Sequence, residues 1–144
     1  MTVRRRRNEG FTLIELLLVV VIIGILAAIV VPKLAGRSED ARIARAEGDI
    51  AALKTALGLY EVDNGKYPNS DQGLESLIVQ PTTAPEPKNW KGPYLQEEKI
   101  PVDPWGHPYS YTQPGTRNTS GFDLYSFGPD GEDGTEDDIP KPAQ

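Results

Sequence analysis

The sequence has no cysteine and a single histidine, His107, among its 144 residues. Without cysteine there is no disulfide framework, no thiolate metal site and no cysteine nucleophile. One histidine excludes multi-histidine metal centres and argues against a Ser-His-Asp triad, and no G-x-S-x-G turn occurs. Basic residues are also short: 15 Lys and Arg face 21 Asp and Glu, for a net charge of −6. A general nucleic-acid binder needs a basic face and is excluded. Proline is nearly missing from the first half, with 12 of 13 at or beyond Pro68, so loops belong to the second half. There is no internal repeat, and the length allows one domain with a short appendage.

What is present is unevenly spread. Residues 1–10 hold Arg4, Arg5, Arg6 and Arg7 against Glu9 alone, which leaves 11 basic and 20 acidic residues for the rest of the chain. From Phe11 to Val31 the sequence is apolar apart from Thr12, Glu15 and Gly24. As a helix, this run spans about 31 Å, close to the roughly 30 Å hydrocarbon core of a bilayer. A secretory signal peptide cut near Ala35–Gly36 is the plain alternative. Against it, the run exceeds the usual apolar stretch of about 7–15 residues. Glu15 also lies inside the run, where a charge costs up to about 2.5–3.5 kcal/mol on insertion scales. A signal peptide gains nothing from that group.

Gly10-Phe11-Thr12-Leu13-Ile14-Glu15, after an arginine cluster and before an apolar run, resembles the class III signal of type IV pilins and type II secretion pseudopilins. The resemblance implies cleavage between Gly10 and Phe11 by a prepilin peptidase, then N-methylation of Phe11. It also implies that Glu15 meets the N-terminal amine of a neighbouring subunit during polymerisation. Physical reasons accompany each part. Gly10 lets extended backbone enter a peptidase cleft without a side-chain clash. The arginines hold the N-terminus in the cytoplasm by the positive-inside rule. Two charges that are costly alone in an apolar layer become tolerable as a pair.

Beyond the apolar run, Ile43, Ala46, Ile50, Leu53, Leu57 and Tyr60 recur at spacings of 3 and 4, which puts them on one helical face. Arg42, Arg45, Glu47, Asp49 and Lys54 fall on the others. The stripe is expected to pack on the chain's own globular part rather than in a coiled coil. Pro32 is expected to kink or open the helix. A helix over residues 11–63 would be about 80 Å long, too long for the remaining residues to cover, so its first half belongs in lipid or against copies of itself.

Asn64-Gly65 reads as a stop and Tyr67-Pro68 as a new start. Asp71–Ile78 predicts a short helix with Leu74, Leu77 and Ile78 inward, and residues 81–93 a proline-rich loop. Strands are expected at Pro108–Thr112 and Gly121–Ser126, with a residue or two around Ile139. The fold class is therefore α+β: a long N-terminal helix packed on a small antiparallel sheet. Tyr67-Pro68, Gly73-Leu74, Trp90 with Gly92-Pro93-Tyr94-Leu95, Asp103-Pro104-Trp105-Gly106 and Asp123-Leu124-Tyr125-Ser126 occur in an order similar to the major pseudopilins of type II secretion. That resemblance covers nearly the whole chain and implies a pilin-like fold. His107 is expected to be an exposed loop residue, and Trp90 and Trp105 to be core or loop anchors.

Six acids lie within residues 130–138, with Gly128, Gly131 and Gly134 recurring every three residues and Phe127 and Ile139 bracketing the run. Hard oxygen ligands on a tightly turned loop suit Ca²⁺, which takes six to eight oxygens. The spacing is not that of an EF-hand. A solvated acidic tail is the alternative. The pseudopilin resemblance implies one Ca²⁺ here, with side chains of Asp130, Asp137 and Asp138 and carbonyls of Phe127, Glu132 and Thr135 as ligands. Glu136 could replace one carboxylate. A small Pro- and Gly-rich body without disulfides has need of such a staple.

These readings divide the chain into a leader (1–10), a transmembrane and polymerisation helix (11–32), its amphipathic continuation (33–63) and a periplasmic globular domain (64–144) with a calcium loop at 127–139. The implied role is that of a structural subunit, not an enzyme. It would be single-pass in the bacterial inner membrane and assemble into a periplasmic pseudopilus that drives export of folded exoproteins. The implied partners are copies of itself, minor pseudopilins, the prepilin peptidase, the inner-membrane assembly platform with its ATPase, and the secreted exoproteins. A type IV pilus subunit and a membrane-anchored periplasmic calcium-binding protein that never polymerises are the alternatives.

Overall fold

A computed structural model describes residues 11–141, and within the helix the side chains of residues 28–37 lie outside that description. The expected leader, including Gly10 and Arg4 to Arg7, falls outside the described residues. The chain divides into two compact units between Glu39 and Asp40.

Helix α1 runs over Leu13–Asn64, 52 residues, and continues across Pro32. In the first unit, every large apolar side chain from Leu16 to Leu26 is between 48% and 61% exposed. Among the described residues, no side chain of this stretch is buried. Among the described residues, no helix is long and apolar enough to cross a membrane.

In the second unit, α1 supplies one wall of the core. Ala46, Ile50, Leu53, Leu57 and Tyr60 are buried as the stripe predicts, joined by Ala56. Ile43 departs from the expectation and stays 37% exposed. The facing residues are Leu74, Leu77, Tyr109, Leu124 and Ile139. Aromatic rings close the edges: Tyr60 meets Tyr94 edge-on at 5.5 Å, and Tyr67 meets Phe122 at 4.8 Å. Tyr109 Oη donates to Asp49 Oδ2 at 3.0 Å, tying the approach to the sheet to α1. Trp90 and Trp105 pack partly buried against this core, and Trp90 Nε1 donates to the Ser76 carbonyl at 2.9 Å.

The helix expected over Asp71–Ile78 is a single 3-10 turn, Leu74–Leu77. Gly73 enters it with φ of 62°, outside the helical region, so a regular helix cannot begin earlier. Leu74 and Leu77 are buried, while Ile78 is only partly so. Buried Gln72 has a use the pattern did not show: its Nε2 donates to the carbonyls of Thr83 and Pro85, clamping the proline-rich loop.

The sheet has two antiparallel strands, β1 (Ser110–Thr112) and β2 (Asp123–Tyr125), with Tyr111 opposite Leu124. Both are shorter than expected. Pro108 pairs back to Val102 as an isolated bridge, and Ser126 pairs with Ile139 in another. The third strand is thus one residue long. Pro140 follows at once, and without an N–H it cannot extend the ladder.

Candidate functional site

Two places carry the chemistry anticipated from the sequence, the start of α1 and the loop after β2. At the start of α1, the Thr12 N–H donates to Glu15 Oε2 at 3.3 Å and the Glu15 N–H donates to Thr12 Oγ1 at 3.3 Å. This reciprocal pair is a capping box, which satisfies two amide donors that a helix start leaves without partners. The T-x-x-E spacing carries this signal in the sequence, beside the expected pairing of the glutamate with a terminal amine. Phe11 and Glu15 are both exposed.

The loop is closed at its base. The Ser126 N–H donates to the Ile139 carbonyl at 2.8 Å, and the Ile139 N–H returns to the Ser126 carbonyl at 2.9 Å. Buried Asp103 fixes the same point from outside: its Oδ2 accepts from Ser126 Oγ at 2.6 Å, and its Oδ1 accepts from the N–H groups of Trp105 and His107. His107 is therefore not the exposed loop residue expected. Its ring lies partly buried, with Nδ1 3.6 Å from Asp103 Oδ2, and Nε2 would be 2.9 Å from a Cβ added at Gly131. It packs the Asp103–Pro108 turn against the loop.

Inside the loop, Gly128, Gly131 and Gly134 all have positive φ. Gly128 has a second constraint, since a Cβ there would run into the carbonyl oxygen of Asp137. An acidic tail in solvent would need neither. Asp130 and Asp137 come together: the Asp130 N–H donates to Asp137 Oδ2 at 3.2 Å. Thr135 Oγ1 donates to Asp137 Oδ1 at 2.6 Å and the Glu132 N–H to Asp130 Oδ1 at 2.9 Å. The Thr135 hydroxyl holds the Asp137 carboxyl below the ordinary range against some desolvation, with help from the Asp130 N–H. The carbonyls of Glu132 and Thr135 accept only long contacts of 3.4 Å.

Asp138 points elsewhere. Its side chain is wholly buried, and Oδ2 accepts from Arg117 Nη2 at 3.0 Å and from the Gly134 N–H at 3.1 Å. Its Oδ1 is buried with no hydrogen-bond partner. Among the described residues, no three acidic or imidazole side chains stand together as a ready metal site. Arg117 explains the difference from expectation, because it draws one oxygen of Asp138 toward itself. The donor set still suits a hard cation: a buried carboxylate oxygen lacks any donor, and such a group is costly when left alone. Arg117 was not anticipated, although it is the one basic residue between Lys99 and Lys141.

Comparison with known proteins identifies the family. Residues 33–141 match the family "Type II secretion system (T2SS), protein G", and residues 5–31 match the "Prokaryotic N-terminal methylation motif". The type II secretion system core protein G of Pseudomonas aeruginosa is 53% identical over 135 residues, covering 93% of this chain and 92% of that protein. That of Aeromonas hydrophila is 47% identical over 137 residues, covering 94% and 93%. The crystal structure of the major pseudopilin from the type 2 secretion system of enterohaemorrhagic Escherichia coli is similar with a TM-score of 0.65 at 39% identity, covering 74% of this chain and 87% of that one. The chain belongs to the type II secretion system protein G family, and its part is that of a major pseudopilin in type II secretion.

Proposed function

We propose that the chain is made as a membrane-held precursor, cut after Gly10, methylated at Phe11 and polymerised through Glu15 into a periplasmic pseudopilus. The observation that carries this reading is the apolar first part of α1, half exposed on every side with a carboxylate near its start. Water is a poor solvent for such a helix, and lipid or neighbouring copies are good ones. Glu15 is then the costly group. A cationic amine from the adjacent subunit's Phe11 offsets that cost, and only in the correct axial register.

The second unit would stand in the periplasm as the body of the filament. Growth of the filament would move folded exoproteins outward, with minor pseudopilins, the prepilin peptidase and the assembly platform with its ATPase as partners. The role is mechanical and involves no catalysis. In the loop, Asp130, Asp137 and Asp138 would hold Ca²⁺ together with carbonyls of Phe127, Glu132 and Thr135. The ion would supply a divalent charge that neutralises the carboxylates. The partnerless Asp138 Oδ1 and the weakly engaged Glu132 and Thr135 carbonyls support that assignment.

The test is Glu15→Gln in the native secretion system, read by cross-linked multimers and by exoprotein in the medium. The expected result is a processed subunit that stays in the membrane without forming filaments, and loss of export. Filaments and export at wild-type levels would exclude the charge pairing.

A further inference from the structure

Arg117 gives the acidic loop a cation of its own. It stands outside the loop, on the connection between β1 and β2, and is fixed at both ends. Its backbone N–H donates to Asp123 Oδ2 at 2.8 Å. Its guanidinium stacks 4.2 Å from the centroid of the Tyr125 ring and donates to Asp138 Oδ2 at 3.0 Å and Asp133 Oδ1 at 3.2 Å. Tyr125 Oη donates to the same Asp133 oxygen at 2.9 Å. A planar, permanently charged group held this way is a built feature of the fold rather than a loose surface contact.

The two oxygens of Asp138 are thereby divided. Oδ2 faces Arg117 and the Gly134 N–H, while Oδ1 has no partner. One oxygen of this carboxylate thus engages a resident monovalent cation, and the other is left without a partner. Cations that share a carboxylate repel each other, and calcium affinity follows the charge count of the ligand set.

We propose that Arg117 is a resident counter-cation that competes with calcium for the charge of Asp138, keeping the loop folded when calcium is scarce and lowering its calcium affinity. The inference rests on the calcium reading of the loop. Orientation acts in the opposite direction, because a residue that orients a metal ligand usually strengthens binding by about 10- to 100-fold. Here the Gly134 N–H bonds the same oxygen and would still hold it without Arg117. Orientation would then be kept, and the change of charge decides the sign.

The experiment titrates calcium into the full chain in detergent micelles by calorimetry, for the wild type, Arg117→Ala, Arg117→Gln and Arg117→Lys. Both neutral variants should bind calcium about tenfold tighter, as one added unit of net negative charge at the ligands implies, and the lysine variant should stay near wild type. In chelator, Arg117→Ala should melt below wild type, and calcium should raise its melting temperature by more than it raises the wild type's. Arg117→Gln keeps an N–H donor for Asp138 and carries the measurement if the alanine variant does not fold without calcium. Equal or weaker binding by the neutral variants, in a wild type that does bind, overturns the counter-cation role and leaves the calcium reading standing. A wild-type chain that takes up no calcium overturns both.

Discussion

Ser126 Oγ donates to Asp103 Oδ2 at 2.6 Å with both side chains buried, and the Gly128 N–H in turn donates to Ser126 Oγ at 3.0 Å. This chain of bonds joins the Asp103–Pro108 turn, the end of β2 and the first residues of the acidic loop. Ser126→Ala would leave a buried carboxylate oxygen short of its hydroxyl donor and an amide without an acceptor. The expected cost is about 1–3 kcal/mol, read as a lower urea midpoint. An unchanged midpoint would mean that the loop's base is held by backbone pairing alone.

Gly128 and Gly134 separate backbone strain from crowding. Both have positive φ, yet a Cβ at Gly134 meets nothing within 4 Å, while one at Gly128 meets the Asp137 carbonyl. Gly134→Ala should cost about 1 kcal/mol from conformation alone. Gly128→Ala should cost clearly more and disturb the Asp130–Asp137 contact. Thermal melts of the two variants check the order, and equal losses would contradict this account of the turn.

Acid should unfold the second unit through Asp123 and Asp137. Burial works to raise the Asp123 carboxyl's pKa, but the N–H groups of Arg117, Asn118 and Thr116 and the Thr116 hydroxyl bring it below the ordinary value. Asp137 is lowered as well. A carboxyl depressed in the folded state adds stability above the unfolded pKa of about 3.9, lost as pH falls through the folded value. In chelator, urea midpoints should be level from about pH 7 to 5 and fall progressively below that. Asp123→Asn should start lower at neutral pH and fall less steeply. A variant curve parallel to the wild type's would remove Asp123 from the explanation.

Chelator should lower the melting temperature and speed proteolysis within residues 127–139, and added Ca²⁺ should reverse both. The expected gain follows the logarithm of calcium concentration over its dissociation constant, as for any ligand bound only by the folded state. Melts that ignore both chelator and calcium would leave the loop as a hydrogen-bonded turn with no metal.

Periodicity made the core face of α1 readable, because apolar residues at spacings of 3 and 4 can bury together on one side only. It missed Ala56, a small residue between Leu53 and Tyr60, and overstated Ile43, which stays 37% exposed. Short strands were placed within two residues of their ends. Their limits depend on single events, such as Pro108 pairing with Val102, that no local pattern encodes. The acidic loop announced its residues but not the direction of Asp138, which Arg117 sets from 21 positions away. His107 and Asp103 were equally hidden, since their contact with the loop is tertiary.

The measurement closest to the centre of this account is the mass of the mature N-terminal peptide, taken from chain extracted from membranes of cells carrying the secretion system. The account predicts a chain that begins at Phe11 and carries one methyl group on its amine. A chain that still begins at Met1 would leave Glu15 without the terminal amine it is proposed to meet, and one cut near Ala35 would lack Glu15 altogether; either would contradict the polymerisation mechanism.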